Sequence, residues 1–132
     1  MKKPSSPIID RKIRFALVGY GRIAQNHVSA IQTHADQAEL VGVCDIDGDA
    51  VRRAVSETGA RPYSNLGALL RECGADIVVL STPSGMHPAQ TIQVAESGRH
   101  VMTEKPMATR WSDGKRMVAA CDEAGVRLFV VK

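Results

Sequence analysis

Aromatic residues make up only 4% of this chain, so Val, Ile, Leu and Ala must supply most of its core. Cysteine is scarce as well. Cys44, Cys73 and Cys121 are odd in number, far apart and without a CxxC spacing, which speaks against a disulfide framework. Each sits among apolar neighbours and reads as a reduced, mostly buried thiol, and no metal site is expected. No apolar run approaches the ~20 residues that a membrane-spanning helix needs. The N-terminus is basic but no apolar stretch follows, so a signal peptide is not expected, and the chain is expected to be cytoplasmic without a membrane partner. Positive charge is not concentrated either. Lys and Arg total 17 against 14 Asp and Glu, a net charge of +3, and Lys2, Lys3, Arg11, Lys12 and Arg14 carry part of that excess. A nucleic-acid surface needs a denser basic stripe with aromatics beside it, so nucleic acid is not an expected partner. Small ligands that bear phosphate remain compatible with this charge.

The 132 residues fit one domain, and 44% hydrophobic content is enough for a proper core at that size. Residues 1–11 (MKKPSSPIIDR) hold two prolines, two serines and no periodicity, and are expected to form a flexible leader. From residue 12 to residue 132, two kinds of segment alternate. Apolar, largely β-branched runs predict strands over 13–18, 39–44, 75–80, 99–103 and 126–131, with a short connecting strand and turn at 61–64. Helical spacing predicts helices over 22–33, from an Asp47 N-cap to Gly59, around Leu66–Leu70, over 88–97 with Gly98 as C-cap, and over 112–124 with Gly125 as the stop. Strands that are apolar throughout, alternating with helices, indicate a parallel sheet covered on both faces. The predicted architecture is a doubly wound α/β fold of the Rossmann type in a single domain.

Gly19-Tyr20-Gly21-Arg22-Ile23-Ala24 is a GxGxxA pattern placed between the first strand and the first helix. Gly19 permits the tight turn, Gly21 lets backbone approach a pyrophosphate, and the small Ala24 lets the helix pack on the sheet. Phosphates would lie at the helix N-terminus, among free N–H groups of Gly21, Arg22 and Ile23. The flanking strand, helix and second strand supply the context that makes such a glycine pattern meaningful. Asp45 follows the second strand. An acid there accepts hydrogen bonds from ribose hydroxyls and repels a 2′-phosphate, favouring NAD over NADP, although it can also serve merely as a helix cap. Arg22 keeps NADP open, because a guanidinium there can meet a 2′-phosphate.

In an open parallel sheet, ligands bind at the carboxyl ends of the strands. Two further strand ends carry polar residues. Ser81-Thr82-Pro83-Ser84-Gly85-Met86-His87 can border a cofactor or can be an ordinary loop before a helix. Thr103-Glu104-Lys105-Pro106 places a charged pair on the edge that also holds Gly19, Asp45 and Pro83. His27 flanks the apolar stripe of the first helix and reads equally as a packed histidine or a ligand contact.

GYGRIA, CDID, STPSGMH and, most specifically, GRHVMTEKPMA together resemble the N-terminal domain of the Gfo/Idh/MocA oxidoreductases, in order and spacing, from about Ile13 to the end of the chain. Within that family the run of residues, including the ending GVRLFVVK, is most similar to the UDP-N-acetylglucosaminuronate 3-dehydrogenases of lipopolysaccharide O-antigen biosynthesis. The resemblance implies NAD as cofactor and a sugar or nucleotide-sugar substrate. It implies that Lys105 is the active-site lysine, touching the reacting hydroxyl while a base removes its proton and hydride passes to the nicotinamide. It places Glu104 on the nicotinamide side, and Ser81, Thr82, Pro83 and His87 on the cofactor-lining loop. Ser84 departs from the pattern, standing where many members have Asn. Members also carry a C-terminal substrate domain that supplies the base and the oligomer interface; this chain ends at the last Rossmann strand. It is therefore expected to hold NAD but not to turn over sugar efficiently, with homo-oligomerisation belonging to the full-length enzyme. A non-catalytic NAD-binding or redox-sensing module is the alternative, as is a domain binding another nucleotide.

Overall fold

Strands with apolar side chains on both sides need cover on both sides, and the chain provides it. In the computed structural model, which describes residues 6–132, six parallel strands form one sheet in the order β3-β2-β1-β4-β5-β6. They are β1 (Ile13–Val18), β2 (Ala38–Cys44), β3 (Arg61–Tyr63), β4 (Ile77–Leu80), β5 (His100–Thr103) and β6 (Leu128–Val130). The helices between them are α1 (Ala24–Thr33), α2 (Gly48–Thr58), α3 (Leu66–Glu72), α4 (His87–Glu96) and α5 (Trp111–Ala124). This is the doubly wound architecture that the alternating pattern predicts.

Successive strand residues enter different cores, as the two-residue period of a pleated strand requires. Leu17 and Val79 pack with Ala24 and Val28 of α1 and with Ala50 and Ala54 of α2. Their neighbours Ala16, Val18, Val78 and Leu80 pack on the opposite face with Leu69 of α3, Val94 and Ala95 of α4 and Cys121 of α5. The small residues Ala24, Ala50, Ala54 and Ala95 let helices lie close to the sheet. Cys44 and Cys121 are buried, Cys73 is half-buried, and all three are free thiols.

Element ends differ from the sequence expectation by a few residues, for local reasons. Helix α1 begins at Ala24 rather than Arg22, because Gly21 and Arg22 first form tight bonds in which Ala24 N–H donates to Gly21 O (3.2 Å) and Gln25 N–H to Arg22 O (3.3 Å). Strand β4 begins at Ile77; Asp76 before it still bonds Arg14 O through its N–H (2.8 Å), while its carboxylate accepts from Arg14 N–H (2.8 Å) and the Arg11 guanidinium (2.7 and 2.8 Å). A single 3₁₀ turn (Ser84–Met86) feeds directly into α4, so that helix starts at His87. Strand β6 is only three residues long, although Val126 remains buried beside it. Residues 1–5 of the expected leader lie outside the described residues, and residues 6–12 form neither helix nor strand. Among the described residues no helix is long and apolar enough to cross a membrane, and no cluster of His, Cys, Asp and Glu is placed to hold a metal ion.

Candidate functional site

Three central ladders of the sheet continue one bond beyond their strands, and those bonds align the residues that matter. Gly19 N–H donates to Cys44 O (2.8 Å), Ser81 N–H to Val18 O (2.9 Å) and Glu104 N–H to Leu80 O (3.2 Å). The glycine turn, the Ser81 loop and the Glu104 turn therefore leave the sheet side by side at its carboxyl edge.

The two glycines of the turn do different work. Gly19 has φ +89°, and a Cβ there would lie 2.9 Å from the carbonyl oxygen of Ser81. Ser81 Oγ closes the contact by donating to Gly19 O (2.9 Å). Gly19 is thus demanded by the protein itself. Gly21 is not: its φ is not positive, and a Cβ there would meet no atom within 4 Å. Open space above an exposed backbone, at the start of a helix with free N–H groups, is what a bound pyrophosphate requires.

Asp45 accepts from Tyr20 N–H through Oδ2 (2.7 Å) and from Asp47 N–H through Oδ1 (2.9 Å). It does not cap α2. That task falls to Asp47, whose Oδ1 accepts from Asp49 N–H (3.0 Å). The carboxylate of Asp45 therefore holds the glycine turn in register while each oxygen keeps a lone pair for another donor. Tyr20 supports the turn from below. Its side chain is fully buried, its hydroxyl donates to Glu57 (3.2 Å), and its carbonyl accepts from Arg53 (3.1 Å). Burial pushes the Cys44 thiol up to about 11, with the neighbouring Asp45 charge adding to the effect, so this cysteine is inert at neutral pH.

Gly19, Gly21, Asp45, Ser81, Thr82 and Pro83 line a single cleft of about 380 Å³. The structure thus brings six of the sequence-predicted residues together. Arg22 and Ile23 lie exposed on the turn beside it. Contributors not predicted from sequence include Asn65 at the start of α3, Ile46, and Gln90, whose side-chain oxygen accepts from Thr82 Oγ1 (2.6 Å). Ile46 carries a signal that could have been used, an apolar residue between two acids just past a strand; its side chain is 97% exposed at the mouth of the cleft.

The remaining predicted residues cluster at the Lys105 turn. Lys105 is exposed, and the bond joining it to Pro106 is cis. Glu104 points inward and pairs with His27 of α1 at 2.5 Å, which resolves the ambiguity at His27 in favour of a partly buried, partnered ring. His87 does not line the cleft as expected. Its side chain is 1% exposed, with Nδ1 3.1 Å from Pro106 O and Nε2 2.8 Å from Thr82 O. It joins two loops from behind.

The family model for oxidoreductases with an NAD-binding Rossmann fold, Gfo/Idh/MocA, matches residues 13–132. The D-apiose dehydrogenase of Paraburkholderia graminis is 34% identical over 91% of this chain and 32% of its own length. Two solved structures superpose with TM-scores of 0.93. The WlbA dehydrogenase from Bordetella pertussis, in complex with NADH and UDP-GlcNAcA, is 64% identical over 95% of this chain and 37% of its own. Its counterpart from Chromobacterium violaceum, with the same two ligands, is 59% identical over 99% of this chain and 37% of its own. The chain thus spans about a third of the length of the relatives it matches. It belongs to the Gfo/Idh/MocA oxidoreductase family, of which residues 13–132 are the NAD-binding Rossmann fold.

Proposed function

We propose that this chain is the cofactor-binding part of an NAD-dependent dehydrogenase that oxidises a hydroxyl of a sugar or nucleotide sugar, with C3 of UDP-N-acetylglucosaminuronate the favoured substrate position. The observation that carries the proposal is the open space over Gly21, which no protein atom explains, in a cleft that also holds Asp45. N–H groups at the start of α1 take the pyrophosphate. The spare lone pairs of Asp45 take the ribose hydroxyls, and the exposed Ile46 offers an apolar face to adenine. When bound, NAD supplies the hydride acceptor. Lys105 supplies a positive charge beside the reacting hydroxyl, where negative charge develops as the proton leaves. The net reaction converts a secondary alcohol and NAD⁺ into a ketone, NADH and a proton. The base that takes the proton is proposed to come from a further part of a full-length enzyme.

Two likenesses support the nucleotide-sugar assignment, both to WlbA dehydrogenases in complex with NADH and UDP-GlcNAcA. A role in lipopolysaccharide O-antigen biosynthesis in the cytoplasm, by a homo-oligomeric full-length enzyme, follows from the same reading. A calorimetric titration of the chain with NAD and NADP tests the cofactor. Binding of NAD in preference to NADP is expected; binding of NADP alone would remove the role given to Asp45. Lys105→Ala is expected to keep NAD affinity within about threefold, less than one kcal/mol. In a full-length enzyme it is expected to lower kcat by about a hundredfold or more, the scale of losing one charge-stabilising donor.

A further inference from the structure

Two histidines outside the cleft grip the residues on either side of Lys105. On the amino side, Glu104 Oε2 lies 2.5 Å from His27 Nε2, both side chains being largely buried at 15% and 12% exposure. On the carboxyl side, Pro106 O lies 3.1 Å from Nδ1 of the buried His87, whose Nε2 faces Thr82 O at 2.8 Å. An N–H on Nδ1 reaches the Lys105 turn and an N–H on Nε2 reaches the Thr82 loop. His27 stands on α1, which leaves the glycine turn directly. His87 opens α4, which follows the Thr82–Pro83 wall of the cleft. Each grip thus ties the lysine turn to a different wall of the cleft. Lys105 itself is exposed and needs neither contact for its own solvation.

We infer that His27 and His87 are positioning residues that suspend Lys105 between the two cofactor-binding walls, so that its placement is set by the same segments that would hold the cofactor. This rests on the role proposed for Lys105, but the suspension itself can be read without any cofactor.

The test is ¹⁵N relaxation of the Lys105 amide in the isolated chain, in wild type and in His27→Leu, His27→Gln and His87→Gly. The wild-type amide is expected to behave as rigid backbone, with an order parameter of about 0.85, and to fall below about 0.6 in His27→Leu and His87→Gly while amides of β1 and β4 stay unchanged. His27→Gln, which keeps an N–H donor for Glu104, is expected to restore rigidity. So is free imidazole added to His87→Gly, which refills the vacated site with the same two nitrogens. A rigid Lys105 amide in either deletion variant overturns the inference, as does a loss of rigidity that glutamine and imidazole fail to reverse. Should His87→Gly not fold, His87→Gln takes its place, since one amide nitrogen cannot reach carbonyls on opposite sides of the ring; unchanged rigidity there overturns the inference equally. An NADH titration of wild type reports on the cofactor reading alone, so the two ideas fail separately.

Discussion

Alanine at Gly19 and alanine at Gly21 should produce opposite phenotypes, although the residues sit two positions apart in one motif. At Gly19 the φ of +89° strains any residue with a Cβ, at about 1–3 kcal/mol. The added methyl would also lie 2.9 Å from Ser81 O, and that backbone cannot yield without loosening the bond from Ser81 N–H to Val18 O. A chain of this size loses roughly 3–5 °C in Tm per kcal/mol, so Gly19→Ala should melt about 5–15 °C lower. At Gly21 the backbone is compatible with alanine and the methyl meets nothing. Gly21→Ala should therefore gain about 0.4–1 kcal/mol through the unfolded state and melt slightly higher. Its cost should appear only against a ligand, because the methyl occupies the space kept for the pyrophosphate. A tenfold or greater loss of NADH affinity, about 1.4 kcal/mol or more, is expected. Scanning calorimetry and a fluorescence titration of both variants read the two effects independently. If Gly21→Ala binds NADH as wild type does, the open space is not a phosphate site and the reasoning fails.

Asp45→Ala should weaken NAD binding by roughly tenfold, and Asp45→Ser should narrow the gap between NAD and NADP, as paired titrations would reveal. Arg11→Ala probes the opposite end of the sheet. The hydrogen bonds from Arg11 hold the Asp76 carboxyl below its ordinary value, so their stabilisation is fully present above the unfolded carboxylate pKa and is lost as pH falls through the lowered folded value. The Tm difference between Arg11→Ala and wild type should be largest near neutral pH, begin to shrink only below about pH 4, and disappear once the pH is under the lowered Asp76 value. Cys44 and Cys121, both pushed up to about 11 mainly by burial, should resist thiol reagents at pH 7.5 in the folded chain and react at once in denaturant.

The fold and the cleft were legible in the sequence because their signals are local. Strand β4 announces itself through Ile77–Leu80, and the glycine turn, Asp45 and Ser81–Pro83 each follow directly on a strand. What was not legible depends on pairs distant in sequence. His27 and Glu104 are 77 residues apart, and nothing in either neighbourhood predicts that α1 and the end of β5 meet. His87 sits in a polar loop, which suggests a ligand contact, yet α4 starts one residue earlier than its apolar spacing implies and turns the ring inward between two carbonyls. The separate duties of Gly19 and Gly21 were legible in the motif, but the letters do not show that the Ser81 carbonyl is what closes the space over Gly19.

Strand order by itself opens the crevice. From β1 the chain steps outward to β2 and β3, then returns past its starting point to β4 on the other side of β1. Helix α1 joins the core on one face of the sheet and α4 the core on the other, so the connections leaving β1 and β4 part in opposite directions. A crevice forms beyond the carboxyl ends of β1 and β4 before any side chain is chosen to fill it. Evolution acting on such a topology inherits the binding crevice as a by-product of winding. Exchanges at a handful of positions such as Arg22, Asp45 and Ile46 are then enough to retune what the crevice accepts, with no need to rebuild the sheet.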